Sequence, residues 1–393
     1  CRAMLDSPQS TEPLRVALCT GAYQHIADGV SLTLNRLVRY LGDQGVDVRV
    51  FAPTSSVAAV EPQGTVVSVP SFTAPGRPDY RVSIPYSGAL RRALERFDPH
   101  LVHMATPDLL GSWMTRWASA RKVPVVATYH THFASYLQYY RLGWLEPLLW
   151  RLLQGTYRQC EHLYVPTATM QKLLEEKQLG AKLLLWPRGV ETDTFSPSKR
   201  DGDFRVRVGA GPRDLIVLWV SRLVTEKAPH LFAEAVKHVS APEGARIIPV
   251  IVGEGPARAA MASMLPEAIF LGTLRGDHLA KAYASSDIFL FPSDTETFGN
   301  VTLEAMSSGL PCITANATGS ASLVEHAHTG LLVDAGDGRG FQAALQMLVD
   351  DPVQRTTFGE AGRERALSFD WDVILARMVG YYRMIPQLEP YLA

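Results

Sequence analysis

Cysteine is scarce. The 393 residues hold four, Cys1, Cys19, Cys160 and Cys312, with no Cys-x-x-Cys and no Cys/His group at metal-ligand spacing. That scarcity excludes a disulfide-stapled fold and a structural zinc site, and it fits a reducing compartment. An excess of one charge is also missing. The formal net charge of −1 lacks the basic surplus of a nucleic-acid binder. Long apolar runs are absent, since none approaches the roughly 20 residues that span a bilayer. The start, Cys1-Arg-Ala-Met-Leu-Asp6, has no signal-peptide core. Residues 1–13 are therefore expected to be a disordered leader, and the chain to be cytoplasmic, with possible peripheral contact at the membrane face left to its surface chemistry.

What is present is the content of an ordinary globular protein long enough for two cores. Apolar runs alternate with helical spacing. Arg15–Thr20 reads as a first strand, and Leu32, Leu34, Leu37 and Leu41 line a helix over Ser31–Leu41. Val46–Phe51 follows as a second strand. Asp28-Gly29-Val30 precedes that helix, and a glycine there lets the backbone approach a phosphate. Further strands are expected at 66–69, 81–84, 101–104, 123–129, 163–167 and 183–187. His103 reads as a buried, hydrogen-bonded residue. The strand 123–129 delivers Tyr129-His130-Thr131-His132 at its carboxyl end, the edge where open parallel sheets bind ligands. No third ligand is spaced to make His130 and His132 a metal pair. Residues 133–153 are rich in aromatics and leucine, with Arg141, Arg151 and Arg158 nearby. Basic residues outnumber acids from 71 to 160, a composition that suits an anionic bilayer surface as well as a core helix pair with solvated arginines.

Ser196–Gly211, polar and poor in apolar residues, reads as a linker. Its Asp201-Gly-Asp203 imitates an Asp-x-Asp metal motif by chance. A second alternating half begins with Leu215–Val220. Arg222 and Lys227 follow at once, two cations that could clamp a diphosphate across a strand-to-helix turn. Strands are expected at 246–252, 268–271, 288–291 and 312–315. After Ile288–Phe291 comes Pro292-Ser-Asp-Thr-Glu-Thr-Phe-Gly-Asn300, then a helix to Gly309. Glu296 in the loop and Glu304 inside the helix form Glu-x7-Glu. A helix start attracts anions through its free N–H groups, whereas carboxylates beside it repel phosphate and suit hydroxyl donors. The stretch can hold a sugar nucleotide, phosphates on amides and hydroxyls on Glu.

Glu296-x7-Glu304 with Phe298-Gly299, Leu303-Glu304-Ala305 and Gly309-Leu310-Pro311 resembles the signature of family 4 retaining glycosyltransferases. Ser221-Arg222-Leu223 with Lys227, and Gly189-Val190 leading to Phe195-Ser-Pro197, are similar to further family segments. Ser221 and Ala228 depart where glycine is common, Glu191 where Asp is, and Ala321 and Ser322 where Pro-Glu is. The resemblance covers nearly all of Arg15–Tyr382. It implies an α/β GT-B fold of two facing doubly wound Rossmann-like domains. The N-terminal, acceptor-binding domain would span 14–196, and the nucleotide-sugar-binding domain 212–370. A C-terminal helix, 371–393, would cross back to the first domain.

The implied activity is retaining, metal-independent transfer of a hexose from a UDP- or GDP-linked sugar to an acceptor hydroxyl. His130, Glu296, Arg222 and Lys227 are the implied catalytic residues. Gly29, Arg222, Lys227, Thr273, Leu274, Glu296, Phe298, Gly299, Asn300 and Glu304 would bind the donor, with no metal or other cofactor. The closest motif likeness is to branches that glycosylate lipids, including sulfoquinovosyl and diacylglycerol glycosyltransferases, and to mannosyltransferases using GDP-mannose. The expected partners are thus a nucleotide sugar and a hydroxyl acceptor, a lipid in the main reading. A sugar-nucleotide epimerase and a non-catalytic sugar-nucleotide-binding protein are the alternatives from other classes.

Overall fold

A computed structural model describes residues 12–26, 28–56, 58–74, 77–129, 143–317 and 319–392. His130, His132 and the segment up to Arg141 lie outside the described residues. The chain divides into two compact units. The first comprises residues 1–186 and 375–393, and the second 187–374. The division falls inside the helix Trp371–Arg383.

In the first unit the strands are β1 (Arg15–Cys19), β2 (Asp47–Pro53), β3 (Thr65–Val69), β4 (Ser71–Ala74), β5 (Arg77–Ser83), β6 (Leu101–Met104), β7 (Val125–Thr128), β8 (His162–Val165) and β9 (Lys182–Leu185). Seven of them form one sheet in the order β3-β2-β1-β6-β7-β8-β9. All its pairings are parallel. Such strands are covered on both faces and need continuous apolar runs, which β1, β6, β7 and β8 supply. The segment expected as a sheet strand at 81–84 behaves differently. It ends β5, which pairs antiparallel with β4 in a separate two-stranded hairpin. The helices start on side-chain caps. Asp28 accepts from the Val30 and Ser31 amides, Asp108 from Gly111 and Thr167 from Met170.

His103 on β6 is fully buried. Its Nδ1 meets the Tyr382 hydroxyl at 2.7 Å and its Nε2 the Thr128 hydroxyl at 2.6 Å. The ring therefore joins β6, the end of β7 and the C-terminal helix. Its edges face Tyr164 and Tyr382.

The second unit holds β10 (Leu215–Val220), β11 (Ile247–Val252), β12 (Ile269–Phe270), β13 (Ile288–Phe291), β14 (Cys312–Ala315) and β15 (Gly330–Val333). Their order is β12-β11-β10-β13-β14-β15, parallel throughout. The winding reverses between β10 and β13, so their carboxyl ends form the crevice at which doubly wound sheets bind ligands. Every residue of β10 and β13 is buried.

The segment expected as a linker is strapped to this unit. It contains the short helix Gly202–Arg207. Arg205 reaches Asp287 at 2.8 Å and the Asp214 carbonyl at 2.7 Å, while Lys199 pairs with Asp277. Asp201 caps the helix through the Asp203 amide, a structural use of the apparent Asp-x-Asp. A further strap is Arg363, whose Nη1 donates to the Thr192, Phe195 and Ser307 carbonyls.

Burial holds the His103 imidazole well below its usual range, to about 3. The unfolded chain then binds more protons than the folded one between roughly pH 6.5 and 3, so stability falls as pH drops through that window. At pH 5 the loss is about 2 kcal/mol. Denaturant melts at pH 7 and pH 5 should show a smaller pH penalty for His103→Gln than for the wild type; equal penalties would contradict this account.

Candidate active site

Five loops meet at the carboxyl edge of the second sheet. The turn after β10 carries Ser221, Arg222 and Leu223, then a 3-10 turn, Thr225–Lys227. It is braced by the turn after β11. The Leu223 amide donates to the Glu254 carbonyl at 2.9 Å, and the Ala257 amide to the Leu223 carbonyl at 2.9 Å. Gly253 lies so close that a Cβ there would strike the Ser221 carbonyl, which makes glycine obligatory. The Gly253 amide donates to the Gly272 carbonyl at 2.7 Å, tying in the loop that carries Thr273 and Leu274. Thr273 is exposed and Leu274 half-buried against the core.

Ala228, where glycine is common in the resembled family, sits at φ 53° and ψ 47°. The left-handed conformation explains the glycine preference and costs an alanine about 1 kcal/mol. The turn keeps its shape regardless.

The loop after β13 runs from Pro292 to Gly299. Gly299 adopts φ 98° and opens the helix Asn300–Ser307 without a side-chain cap. The first-turn N–H groups of this helix thus have no intrahelical acceptor. Nearby, Asn300 Oδ1, Thr302 Oγ1 and Ser320 Oγ are buried with no hydrogen-bond partner among the described residues. The Gly319 amide donates to the Glu296 carbonyl at 2.9 Å, which seats the loop after β14 on this one. Phe298 is buried, with its ring centroid 6.1 Å from that of Phe369 in an edge-to-face contact, so its side chain anchors the loop to the core.

Lys227 and Glu296 meet across the switch point, Nζ to Oε1. Their side chains are 14% and 19% exposed, too shielded for a screened surface pair. Lys227 Nζ also donates to Thr295 Oγ1 at 3.2 Å, and that hydroxyl reaches the Glu226 carbonyl at 3.2 Å. Arg222 is exposed, and its side chain makes no ion pair or hydrogen bond among the described residues, although its carbonyl accepts from the Val224 amide at 3.1 Å.

Glu304 lies one turn into the helix and accepts from the buried Tyr283 hydroxyl at 3.0 Å. Burial pushes its carboxyl up to about 7, the Tyr283 hydrogen bond opposes this, and the nearby Glu191 charge adds to it. Two carboxylates in one motif thus differ in kind. Glu296 is a charged partner of Lys227, and Glu304 is a group that titrates near neutrality.

The structure therefore brings Arg222, Lys227, Thr273, Leu274, Glu296, Phe298, Gly299, Asn300 and Glu304 to one sheet edge in the second unit. Gly29 belongs to the first unit, as the first residue of the helix Gly29–Asp43. His130 lies outside the described residues. Sequence reading missed Thr295, Tyr283, Thr302 and Ser320. Thr295 could have been suspected from its place beside Glu296; nothing in the local pattern marks the others. No group of His, Cys, Asp and Glu that could hold a metal ion occurs among the described residues.

Residues 27–194 match the family designated Glycosyltransferase Family 4, and residues 214–351 that designated Glycosyl transferases group 1. The sulfoquinovosyl transferase SQD2 of Arabidopsis thaliana is 31% identical over 378 residues, which cover 94% of this chain and 73% of that one. A GDP-mannose-dependent alpha-mannosyltransferase of Mycolicibacterium smegmatis is also 31% identical over 378 residues, 95% of this chain and 98% of the other. Among solved structures, Anabaena Alr3699/HepE in complex with UDP superposes with a TM-score of 0.74 at 17% identity, covering 95% of this chain and 100% of that one.

The Glu304 titration has a measurable consequence. Between about pH 4.5 and 7 the folded state binds more protons than the unfolded one, so this group lowers stability as pH rises through that window. Glu304→Gln should stabilise the unliganded protein at pH 8 relative to pH 4 by an amount of order 2 kcal/mol. Denaturant melts at both pH values check it, and a pH-independent effect of the substitution would refute the raised carboxyl.

Proposed function

The chain belongs to glycosyltransferase family 4 and has the GT-B fold, and from that premise we propose which donor, acceptor and residues its transfer reaction uses. The donor is a UDP- or GDP-linked hexose, bound at the carboxyl edge of β10 and β13. The acceptor is the hydroxyl of a lipid such as diacylglycerol. The observation that carries this reading is the meeting of Lys227 and Glu296 beside an uncapped helix start, with exposed Arg222 on the same turn. Cations, free amides and a carboxylate within one crevice suit diphosphate and sugar hydroxyls together.

In this reading Arg222, Lys227 and the first-turn amides of Asn300–Ser307 take the diphosphate. Their positive charge stabilises the phosphate oxygen that departs as the glycosidic bond breaks, the contribution otherwise made by a divalent cation. Metal independence follows as part of the proposal. Glu296 accepts from hydroxyls of the sugar, and Glu304, held by Tyr283, from the ribose. Thr273 and Leu274 flank the base. Gly29 and His130 are the first-unit residues assigned to donor and acceptor. No carboxylate nucleophile is evident. The acceptor oxygen attacks from the face the diphosphate leaves, through an oxocarbenium-like state, passing its proton to the departing phosphate oxygen, and the configuration is retained.

Support for a lipid acceptor comes from the first unit. Trp144, Leu148 and Leu152 are 75%, 55% and 64% exposed at helical spacing, with exposed Arg151 between them. An apolar ridge with cations at its flank suits an anionic bilayer surface. No helix among the described residues is long and apolar enough to cross a membrane. A second reading, a GDP-mannose-dependent α-mannosyltransferase, is favoured by the mycobacterial relative matched over 98% of its length.

A thermal-shift series with UDP- and GDP-hexoses followed by turnover assays on diacylglycerol and glycan acceptors separates the two readings. Lys227→Ala should lower kcat/KM by about 10²–10³-fold. Conversion of the donor alone to an epimer would instead support an epimerase. Flotation with phosphatidylglycerol liposomes but not phosphatidylcholine liposomes is expected, and should weaken in Leu148→Asp. Binding to neither would remove the membrane part of the proposal.

A further inference from the structure

The hairpin of β4 and β5 is inverted. Its cross-strand partners are Ser71 with Ser83, Phe72 with Val82 and Thr73 with Arg81. Phe72 and Val82 therefore share one face, and Ser71, Arg81 and Ser83 the other. The polar face is turned to the protein. Arg81 Nε donates to Ser71 Oγ at 3.1 Å, and Ser83 and Pro85 are buried. The apolar face is turned to solvent. The Ile84 amide donates to the Pro70 carbonyl at 2.7 Å, which adds one more rung and continues the alternation. Phe72, Ile84 and Tyr86 are 49%, 45% and 73% exposed. An antiparallel ribbon on a globular unit ordinarily does the reverse, and a contiguous exposed apolar face marks an interaction surface.

The place of the hairpin points to its occupant. β4 begins at Ser71, two residues after β3 ends at Val69, so the hairpin stands at the carboxyl edge of the first sheet. β5 packs against β2 and against the helix Leu109–Ser119, whose exposed Leu109 follows β6 at the same edge. Tyr86 leads into the helix Gly88–Phe97, which has no acid in its first turn. Exposed Arg92 on that helix folds back towards Gly88, where a Cβ would stand 3.2 Å from its Nη1. Apolar side chains, an aromatic at their border and a cation beside it suit the acyl region and head groups of an anionic bilayer. We infer that this hairpin seats the carboxyl edge of the first sheet on an anionic bilayer, so that the acceptor lipid enters from the membrane and not from water. This rests on the lipid-acceptor reading above and adds to it a second membrane contact, besides the ridge of Trp144, Leu148 and Leu152.

Site-specific labels on the full chain test the contact. Cys19, Cys160 and Cys312 are buried, and Cys1→Ser removes the fourth thiol from labelling. In that background Phe72→Cys and Ile84→Cys each carry an environment-sensitive fluorophore. Both labels should shift to the blue with phosphatidylglycerol vesicles and be quenched by lipids brominated on the acyl chain. A label at Val206→Cys, an exposed position of the second unit, should stay in water. Phe72→Asp with Ile84→Asp should weaken vesicle partitioning by about tenfold or more, the scale of one buried aliphatic side chain. Vesicle binding with both hairpin labels still in water overturns the inference and leaves the ridge as the contact. A blue shift without vesicles that grows with protein concentration also overturns it, since a second copy of the chain then covers the face. Failure of the wild type to bind phosphatidylglycerol vesicles overturns the membrane part of the reading itself, and the inference with it.

Discussion

The second unit's crevice depends on two opposite charges delivered to one point by a reversal of winding. β10 and β13 are neighbours although β11 and β12 intervene in sequence, so the loops that follow them face each other. Lys227 and Glu296 are 69 residues apart in the chain and in direct contact. The contact exists only because the turn after β10 is held against the β11 turn by backbone hydrogen bonds and a glycine too close for any side chain. The loop after β13 is held from below by Phe298 and from the side by Gly319. Preorganisation of this kind lets a charged side chain change partner without rebuilding its loop.

Much of this was legible in the sequence, for a definite reason. Parallel strands covered on both faces must be apolar throughout, so Leu215–Val220 and Ile288–Phe291 announce themselves. β15 was missed because it is four residues long and begins with Gly330. The strand at 81–84 is legible, but its antiparallel pairing with β4 is not, because a short strand's sequence does not encode its partner. The attachment of the linker is not legible for a related reason. Its polar residues look solvated, yet Arg205 and Lys199 find Asp287 and Asp277 roughly eighty positions away. Arg222, Lys227, Glu296 and Glu304 were visible because their spacing within each loop is local. Thr295, Tyr283 and Arg363 were not, since each acts on a group set by tertiary packing.

The two carboxylates of Glu-x7-Glu show how one motif gives two chemistries. Glu296 is paired directly with the Lys227 ammonium. Glu304 faces a phenol and another acid, so burial acts on it with little relief. A group that titrates near neutrality responds strongly to a new hydrogen-bond donor, because a donor favours the ionised form. A ribose hydroxyl reaching Glu304 would supply such a donor. In the proposed donor reading, ligand binding and proton release would be linked at that residue.

The polar atoms without partners fit the same logic. Burying a hydroxyl with no partner costs of order 1–3 kcal/mol, and such groups are few in native proteins. Here Thr302 Oγ1, Ser320 Oγ and Asn300 Oδ1 gather around a helix start that also has no side-chain cap. A core built for stability alone would fill these positions with apolar side chains of similar volume. Of the three, the Thr302 and Ser320 hydroxyls can donate to an anion, whereas Asn300 Oδ1 can only accept. Hydrogen-bonding capacity left unused in the folded chain is capacity that an anion can satisfy on arrival. In the proposed donor reading, the two hydroxyls that lower the unliganded protein's stability would raise its affinity for a phosphate.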